Sequence, residues 1–168
     1  MGMFSFIKEA GEKLFGIGKA KAAEAASATA TGPTPEQVAD MNRTAGDAIA
    51  RYIDTMGLKV DGLAVQYDGA SETVTVSGIA PDQQTREKVV LCCGNVASVA
   101  RVNDLMTVAS PEAESQMYTV VKGDNLSKIS KQFYGTPNKY MQIFEANKPM
   151  LSHPDKIYPG QVLRIPPQ

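Results

Sequence analysis

The chain has 168 residues, of which 43% are hydrophobic and 21% are charged, with 17 Lys and Arg against 18 Asp and Glu. A chain of this length holds one medium-sized domain or two small ones, and its composition is ordinary for a globular protein. The near-zero net charge, without a basic stripe, argues against a nucleic-acid partner, because neutralising phosphates requires a surplus of Lys and Arg.

The first 17 residues are predicted to form an amphipathic helix. Apolar or small residues recur every three or four positions, at Phe4, Ile7, Ala10, Gly11 and Leu14. This spacing is typical of one face of a helix. The polar residues between them mix Lys with Glu, whereas a helix on a membrane surface has a more basic polar face. We therefore expect the helix at residues 1–17 to dock onto the protein's own core.

The same segment bears on the location of the protein. Lys8, Glu9, Glu12 and Lys13 interrupt the apolar residues, so the segment lacks the continuous apolar run of a signal peptide. No stretch of the sequence approaches the roughly 20 apolar residues that a membrane span needs. The sequence therefore predicts a cytoplasmic protein without a membrane span.

Residues 18–33 are rich in Ala, Ser and Thr and end in Gly32-Pro33. Such a composition buries too little apolar surface to order itself. We interpret the segment as a flexible linker, although its Ala-rich first half is also compatible with a helix.

Residues 34–109 are predicted to form a first domain with the order α-β-β-α-β. The elements are a helix at 34–56, strands around 63–67 and 74–76, a helix at 81–93 and a last strand at about 97–108. Thr34 is a good N-cap for the first helix. Pro81 is suited to open the second helix, which Gly94-Asn95 would close.

The only two cysteines, Cys92 and Cys93, are adjacent in the second predicted helix. Neighbouring residues rarely form a disulfide, because their Cα atoms are closer than the bond prefers. The sequence has no CxxC pair or Cys/His cluster of the kind that holds zinc. We expect both residues to be small buried side chains.

Residues 110–116 are polar, contain Pro111 and are predicted to form a short hinge. Residues 117–168 then read as a second domain with the order β-α-α-β, in which Asn125 caps the first helix and Tyr134-Gly135 ends it. The predicted fold class is α+β, with two small domains after an N-terminal helix.

The second domain resembles the LysM family. The residues that carry this resemblance are 118–120, 122–130, Asn147 and 157–166. LysM domains generally bind N-acetylglucosamine chains in a shallow groove between two loops. The resemblance maps that groove to Gly123, Asp124, Asn125 and Leu126 on one side and to Asn147, Lys148, Pro149 and Met150 on the other. Residues such as Gly123 and Asp124 are equally expected as turn and capping residues that the fold needs without any sugar.

The first domain resembles the BON family through Gly78, the helix at 82–93 and the segment 99–104. The order of the two domains, together with the N-terminal segment 2–14, resembles the bacterial cytoplasmic potassium-binding proteins. The Ala-rich part of residues 15–45 departs from what that family leads us to expect.

The family resemblance implies K⁺ as the ligand and implies a site made of backbone carbonyl oxygens. Neutral carbonyl dipoles suit K⁺, whereas carboxylate cages suit Ca²⁺ or Mg²⁺. The resemblance gives as ligands the carbonyls of Ile7, Ala10, Gly94, Val96 and Val99. The residues themselves leave an alternative open, because Gly94-Asn95 is also an ordinary helix end.

No enzyme is predicted, since the single histidine, His153, lies in a loop and no nucleophile–base pair is evident. The function expected from the resemblance is that of a K⁺-binding protein, a monomer that compacts on binding the ion and acts as an ion sensor in osmotic or salt stress. The alternatives are a LysM-mediated binder of peptidoglycan or N-acetylglucosamine polymers, and an adaptor for an unidentified protein.

Overall fold

The computed structural model describes residues 2–5 and 32–168. These residues form an α+β structure, as predicted. Its elements are β1 (Gly2–Ser5), α1 (Pro35–Thr55), β2 (Asp61–Asp68), β3 (Thr73–Asp82), α2 (Gln83–Gly94), β4 (Arg101–Asp104), β5 (Thr107–Ser110), β6 (Gln116–Thr119), α3 (Leu126–Tyr134), a 3₁₀ turn (Pro137–Lys139), α4 (Tyr140–Ala146) and β7 (Val162–Ile165). The rest of the predicted N-terminal helix and residues 18–31 of the predicted linker lie outside the described residues.

The first domain is a sheet with the strand order β1-β4-β3-β2, and β5 also pairs with β3. The long strand β3 is antiparallel to β2 on one side. On its other side β3 is parallel first to β4 and then to β5. The helices α1 and α2 contribute Ile49, Val89 and Val90 to a core with Val74 and Val102 from the sheet. The site described below lies where α2 leads into β4.

Local signals place α1 and α2 close to their predicted positions. Thr34 forms a capping box with Gln37, in which each side chain bonds the other's backbone N–H. The α2 helix begins at Gln83, two residues later than expected, because the Asp82 side chain accepts a hydrogen bond from the Thr85 N–H at 2.6 Å and is the N-cap. Pro81 therefore belongs to β3 and does not open the helix.

The prediction of a helix from residue 1 is wrong for residues 2–5. These residues form β1, which is antiparallel to β4 from Gly2 opposite Asp104 to Ser5 opposite Arg101. Phe4 packs against the core. Pairing with the otherwise free side of β4 satisfies backbone groups that an isolated first turn of helix leaves unbonded, so tertiary pairing outweighs a weak local periodicity.

The single strand predicted at about 97–108 is also wrong. The structure has two shorter strands, β4 and β5, separated by Leu105 and Met106. The Asp104 carboxylate accepts a hydrogen bond from the Met106 N–H at 2.9 Å, and the Leu105 N–H donates to the Val76 carbonyl. These bonds interrupt regular pairing, and the domain has more strands than the predicted α-β-β-α-β order.

The second domain has the predicted order, with β6 and β7 paired antiparallel and α3 and α4 between them in sequence. Asn125 caps α3 by accepting from the Lys128 N–H, and Gly135 ends it in the left-handed conformation with φ of 72°. Leu126, Ile129 and Ile143 lie in its separate core.

The two domains pack against each other through α2 and β7. Val162 of β7 lies in the first domain's core, and Met117 and Met150 pack against that core. Residues 111–115 form no helix or strand, and the Ser115 N–H donates to the Glu87 carboxylate at 2.7 Å. Hinge motion in this segment stays a prediction.

Candidate functional site

The candidate ion site is the loop between α2 and β4. Gly94 is the last residue of α2, and β4 begins at Arg101. Gly94, Val96 and Val99 are buried, so the structure places these three predicted ligands together in one short buried segment. Ile7 and Ala10, the other two, lie outside the described residues.

The backbone carbonyl oxygens of this loop can accept further partners. The Val99 N–H donates to the Val96 carbonyl at 3.2 Å, and the Val96 N–H donates to the Cys93 carbonyl at 3.3 Å. In the described part of the chain, no backbone N–H donates to the carbonyl of Gly94 or Val99. A carbonyl oxygen has two lone pairs, so all three predicted ligand oxygens have room for a further partner.

The loop is held in an unusual conformation by bonds to the β2–β3 hairpin. Ser98 has a positive φ of 73°, and Glu72 in the hairpin turn has one of 50°. The Tyr67 hydroxyl donates to the Ser98 carbonyl at 2.9 Å. The Glu72 carbonyl accepts from the N–H groups of Ala100 and Arg101. Non-glycine residues in this region cost free energy that the surrounding structure must offset, and such residues cluster at binding sites.

The electrostatics of the loop favour a cation. The C-terminus of a helix carries the negative end of the helix dipole, which stabilises positive charge. The last turn of α2 contains no basic residue that would use this position. Within residues 2–5 and 32–168, no three His, Cys, Asp or Glu side chains come together as a metal cluster. The chemistry available at this loop is therefore that of neutral carbonyl dipoles.

The N-terminal strand ends beside the same loop. Ser5, at the end of β1, is opposite Arg101, and Arg101 directly follows the loop. Because β1 and β4 are antiparallel, the chain leaves β1 at the end of β4 where the loop enters. Ile7 is two residues beyond Ser5, and two residues span at most about 7 Å.

One residue of the loop was missed as a functional candidate. Asn95 lies between two predicted ligands, and its side chain forms two hydrogen bonds to Val162 in the second domain. The sequence marks Asn95 only as a helix end. Its partner lies 67 residues further along the chain, and no local pattern indicates such a contact.

The predicted glycan groove consists largely of residues that the fold itself uses. On the first side, Asp124 accepts from the Tyr118 hydroxyl at 2.7 Å and from the Val121 N–H at 3.0 Å. Asn125 is the N-cap of α3, and Leu126 lies in the core. Gly123 has a φ of 91° and its carbonyl accepts from the Lys128 ammonium. Hydrogen bonding by Asp124 to the hydroxyl keeps the pKa of Tyr118 above its usual range.

On the other side, Asn147 is 1% exposed and its amide bonds the carbonyls of Ile143 and Arg164 and the Arg164 N–H. The Lys148 ammonium lies 4.6 Å from the centre of the Phe144 ring and pairs with Glu145. The Lys148–Pro149 peptide bond is cis. Met150 packs against the first domain's core. This side of the predicted groove is thus partly an interface between the domains.

The cysteines have the buried environment that was predicted. Cys92 and Cys93 are free and buried on α2. Burial raises the pKa of the Cys92 thiol to about 12 and raises that of Cys93 further. Since the thiolate is the reactive form, neither residue is set up as a nucleophile. His153 lies in an exposed loop, where its Nδ1 accepts from the Asp155 N–H.

No helix in the described residues is both long enough and apolar enough to cross a bilayer.

Comparison with known proteins identifies both domains. The model of the BON domain matches residues 44–110, and that of the LysM domain matches residues 118–166. The chain is similar to the "Potassium binding protein Kbp" of Escherichia coli O6:H1, with 41% identity over 167 residues that cover 99% of each chain. It is also 50% identical over 50 residues to an uncharacterized protein of Deinococcus radiodurans, in a match that covers 30% of this chain and 19% of that protein.

Proposed function

This chain belongs to the same family as the potassium binding protein Kbp, with a BON domain followed by a LysM domain, and we propose that it binds potassium ions. The observation that carries the proposal is the buried loop after α2, whose carbonyls at Gly94, Val96 and Val99 have free acceptor capacity at the negative end of a helix. We take residues 34–109 and 117–168 as the limits of the two domains.

The proposed ligands are the backbone carbonyls of Ile7, Ala10, Gly94, Val96 and Val99. K⁺ is large and weakly hydrated, and several neutral carbonyl dipoles can replace its water without the strong field of a carboxylate. Among the described residues the loop lacks the acidic cluster that a divalent cation would need. The position of Ser5 opposite Arg101 supports a contribution from the segment that follows β1.

Ligands from two distant parts of the sequence would make binding a conformational event. If K⁺ joins the N-terminal segment to the BON core, it stabilises the compact form in proportion to its greater affinity for that form. We propose on this basis that the protein is a monomeric cytoplasmic ion sensor of osmotic or salt stress, which acts by binding rather than by catalysis. The alternative is binding of N-acetylglucosamine polymers by the LysM groove.

The direct test is calorimetric titration of the full chain with KCl, with NaCl at matched ionic strength as the control. Saturable heat with one ion per chain for K⁺ and none for Na⁺ is the expected result. Thermal unfolding in the two salts should show a higher melting temperature in KCl, since the ion binds only the folded chain. Absence of heat in both salts would overturn the proposal, and titration with chitin oligosaccharides would then test the alternative.

A further inference from the structure

The side chain of Asn95 joins the candidate ion loop to the LysM domain. Its Nδ2 donates to the Val162 carbonyl at 3.2 Å, and its Oδ1 accepts from the Val162 N–H at 3.2 Å. Both halves of the amide are therefore used on the N–H and C=O of one residue. Two bonds to fixed backbone atoms set both the position and the rotation of the amide plane, which a single bond would not do.

The partner of Asn95 is the outer edge of a short strand. Among the strands of the described residues, β7 pairs with β6 alone, on one of its two sides. Along its other side, the Asn95 amide bonds the N–H and C=O of Val162, and the Asn147 amide bonds those of Arg164 in the same way. Backbone N–H and C=O groups that face the same edge of a strand come from residues two positions apart, as Val162 and Arg164 are. The two asparagine side chains therefore occupy the hydrogen-bonding positions that a third strand would otherwise fill. One of them comes from the LysM domain and the other from the ion loop.

The backbone at Asn95 is fixed as well. Its N–H donates to the carbonyls of Leu91 and Cys93 as the C-cap of α2. Its peptide neighbours are Gly94 and Val96, and both are proposed ligands. With the side chain held by β7 and the main chain held by α2, the peptide groups that join Asn95 to Gly94 and to Val96 are restrained, and the Val96 carbonyl is held further by the Val99 N–H. Preorganised dipoles bind an ion more tightly than mobile ones, because less order is lost on binding.

We propose that Asn95 is a positioning residue for the potassium site, through which the LysM domain holds the ion loop of the BON domain in its binding conformation. This inference rests on the proposed function. It gives the LysM domain a role that does not depend on sugar binding, since Val162 of β7 holds the Asn95 side chain of the ion loop. Asn95 itself does not contact the ion in this proposal.

The test compares Asn95→Ala with Ser115→Ala in the full chain. Ser115 lies between the domains and bonds both of them, since its Oγ accepts from Arg164 at 2.9 Å and its N–H donates to Glu87 at 2.7 Å, but it is not part of the ion loop. We expect Asn95→Ala to weaken K⁺ binding by about three- to thirty-fold, the range for the loss of one or two neutral hydrogen bonds. Ser115→Ala should keep the K⁺ affinity of the wild type within about twofold while lowering the melting temperature.

A second measurement needs no potassium. Hydrogen exchange of the Val96 and Val99 amides in K⁺-free protein should be faster in Asn95→Ala than in Ser115→Ala, because the Val99 N–H donates to Val96 within the loop and the Val96 N–H anchors the loop to Cys93 of α2. If Asn95→Ala does not fold, Asn95→Gln keeps the amide but moves it by one methylene and replaces it in both measurements.

The outcomes separate the two proposals. A wild-type chain that binds no K⁺ overturns the proposed function and this inference together. A wild type that binds K⁺ while Asn95→Ala keeps the same affinity and the same exchange rates overturns the positioning role alone. An equal loss of affinity in Ser115→Ala would also overturn it, since the effect would then belong to the domain interface in general.

Discussion

Glu87 and Arg164 form a buried ion pair between the two domains. The Glu87 Oε2 lies 2.8 Å from Nη2 and 2.9 Å from Nε of Arg164, and each side chain is only 6% exposed. Every nitrogen of the guanidinium group has a partner, since Nη1 donates to the Ala146 carbonyl and Nη2 donates also to the Ser115 hydroxyl. A buried pair is tolerated when its hydrogen bonds are satisfied in this way. The contact fixes α2 of the BON domain against β7 of the LysM domain.

Replacing one partner of this pair should be costly. Arg164→Met leaves the Glu87 carboxylate buried without its cation, and we expect a loss of about 3–5 kcal/mol in the free energy of unfolding. Urea unfolding measures this loss. Lys59→Met is the matched control, because its pair with Asp54 is exposed and is worth at most about 1 kcal/mol. Equal losses in the two variants would contradict a structural role for the buried pair.

The same pair predicts a pH dependence. Burial raises the pKa of Glu87, but hydrogen bonds from Ser115, Gln83 and Arg164 outweigh it and leave the pKa below the ordinary value of 4.5. A carboxyl with a lowered folded pKa adds stability that is full above its unfolded pKa and is lost as the pH falls through the folded pKa. The wild type should therefore be more stable than Glu87→Gln at about pH 7, and the difference should shrink below about pH 4.5. Urea unfolding at several pH values measures it, and a constant difference would contradict the prediction.

The elements that the sequence predicted well are those with local causes. The helix caps at Thr34 and Asn125 bond residues three positions away, and Gly135 ends its helix by its own backbone conformation. Such effects can be predicted from the neighbouring residues in the sequence. The strand at Gly2–Ser5 has a distant cause, because its partner is the free side of β4, about a hundred residues away. Periodicity within a short N-terminal segment carries no information about that edge.

The residues of the candidate site also differ in how far they could be predicted from the sequence. A family resemblance supplied Gly94, Val96 and Val99, since a backbone ligand leaves no mark on side-chain identity. The positive φ of Ser98 and the bond from Tyr67 to its carbonyl follow only from the folded hairpin. The roles of Glu87 and Asn95 depend on the second domain, with partners 77 and 67 residues along the chain. These contacts could not be predicted from either domain alone.

The close approach of α1 to the sheet makes a prediction at Gly46. A Cβ added there would lie 2.8 Å from the Val65 carbonyl oxygen. Because this oxygen is a backbone atom, it cannot relieve the clash by a side-chain rotation. Alanine favours a helix by about 1 kcal/mol over glycine, but we expect the clash to dominate and Gly46→Ala to lose about 1–3 kcal/mol. Asp47→Ala, at the next and exposed position of the same helix, is the control and should change stability by less than about 0.5 kcal/mol. Gly46→Ala more stable than the wild type in urea would show that α1 can move away from β2.

Asn147 in the predicted LysM groove has a structural role that can be distinguished from sugar recognition. The Asn147 amide makes three bonds to buried backbone groups, to the Ile143 and Arg164 carbonyls and from the Arg164 N–H. Asn147→Ala leaves these groups without a partner, and we expect a loss of about 2–4 kcal/mol on unfolding in urea. Lys148→Ala removes a half-exposed neighbour and its pair with Glu145, which should cost less than about 1 kcal/mol. Titration of both variants with chitin oligosaccharides completes the test. An Asn147→Ala chain that unfolds like the wild type but loses binding of the oligosaccharide would make Asn147 a sugar ligand and contradict its structural role.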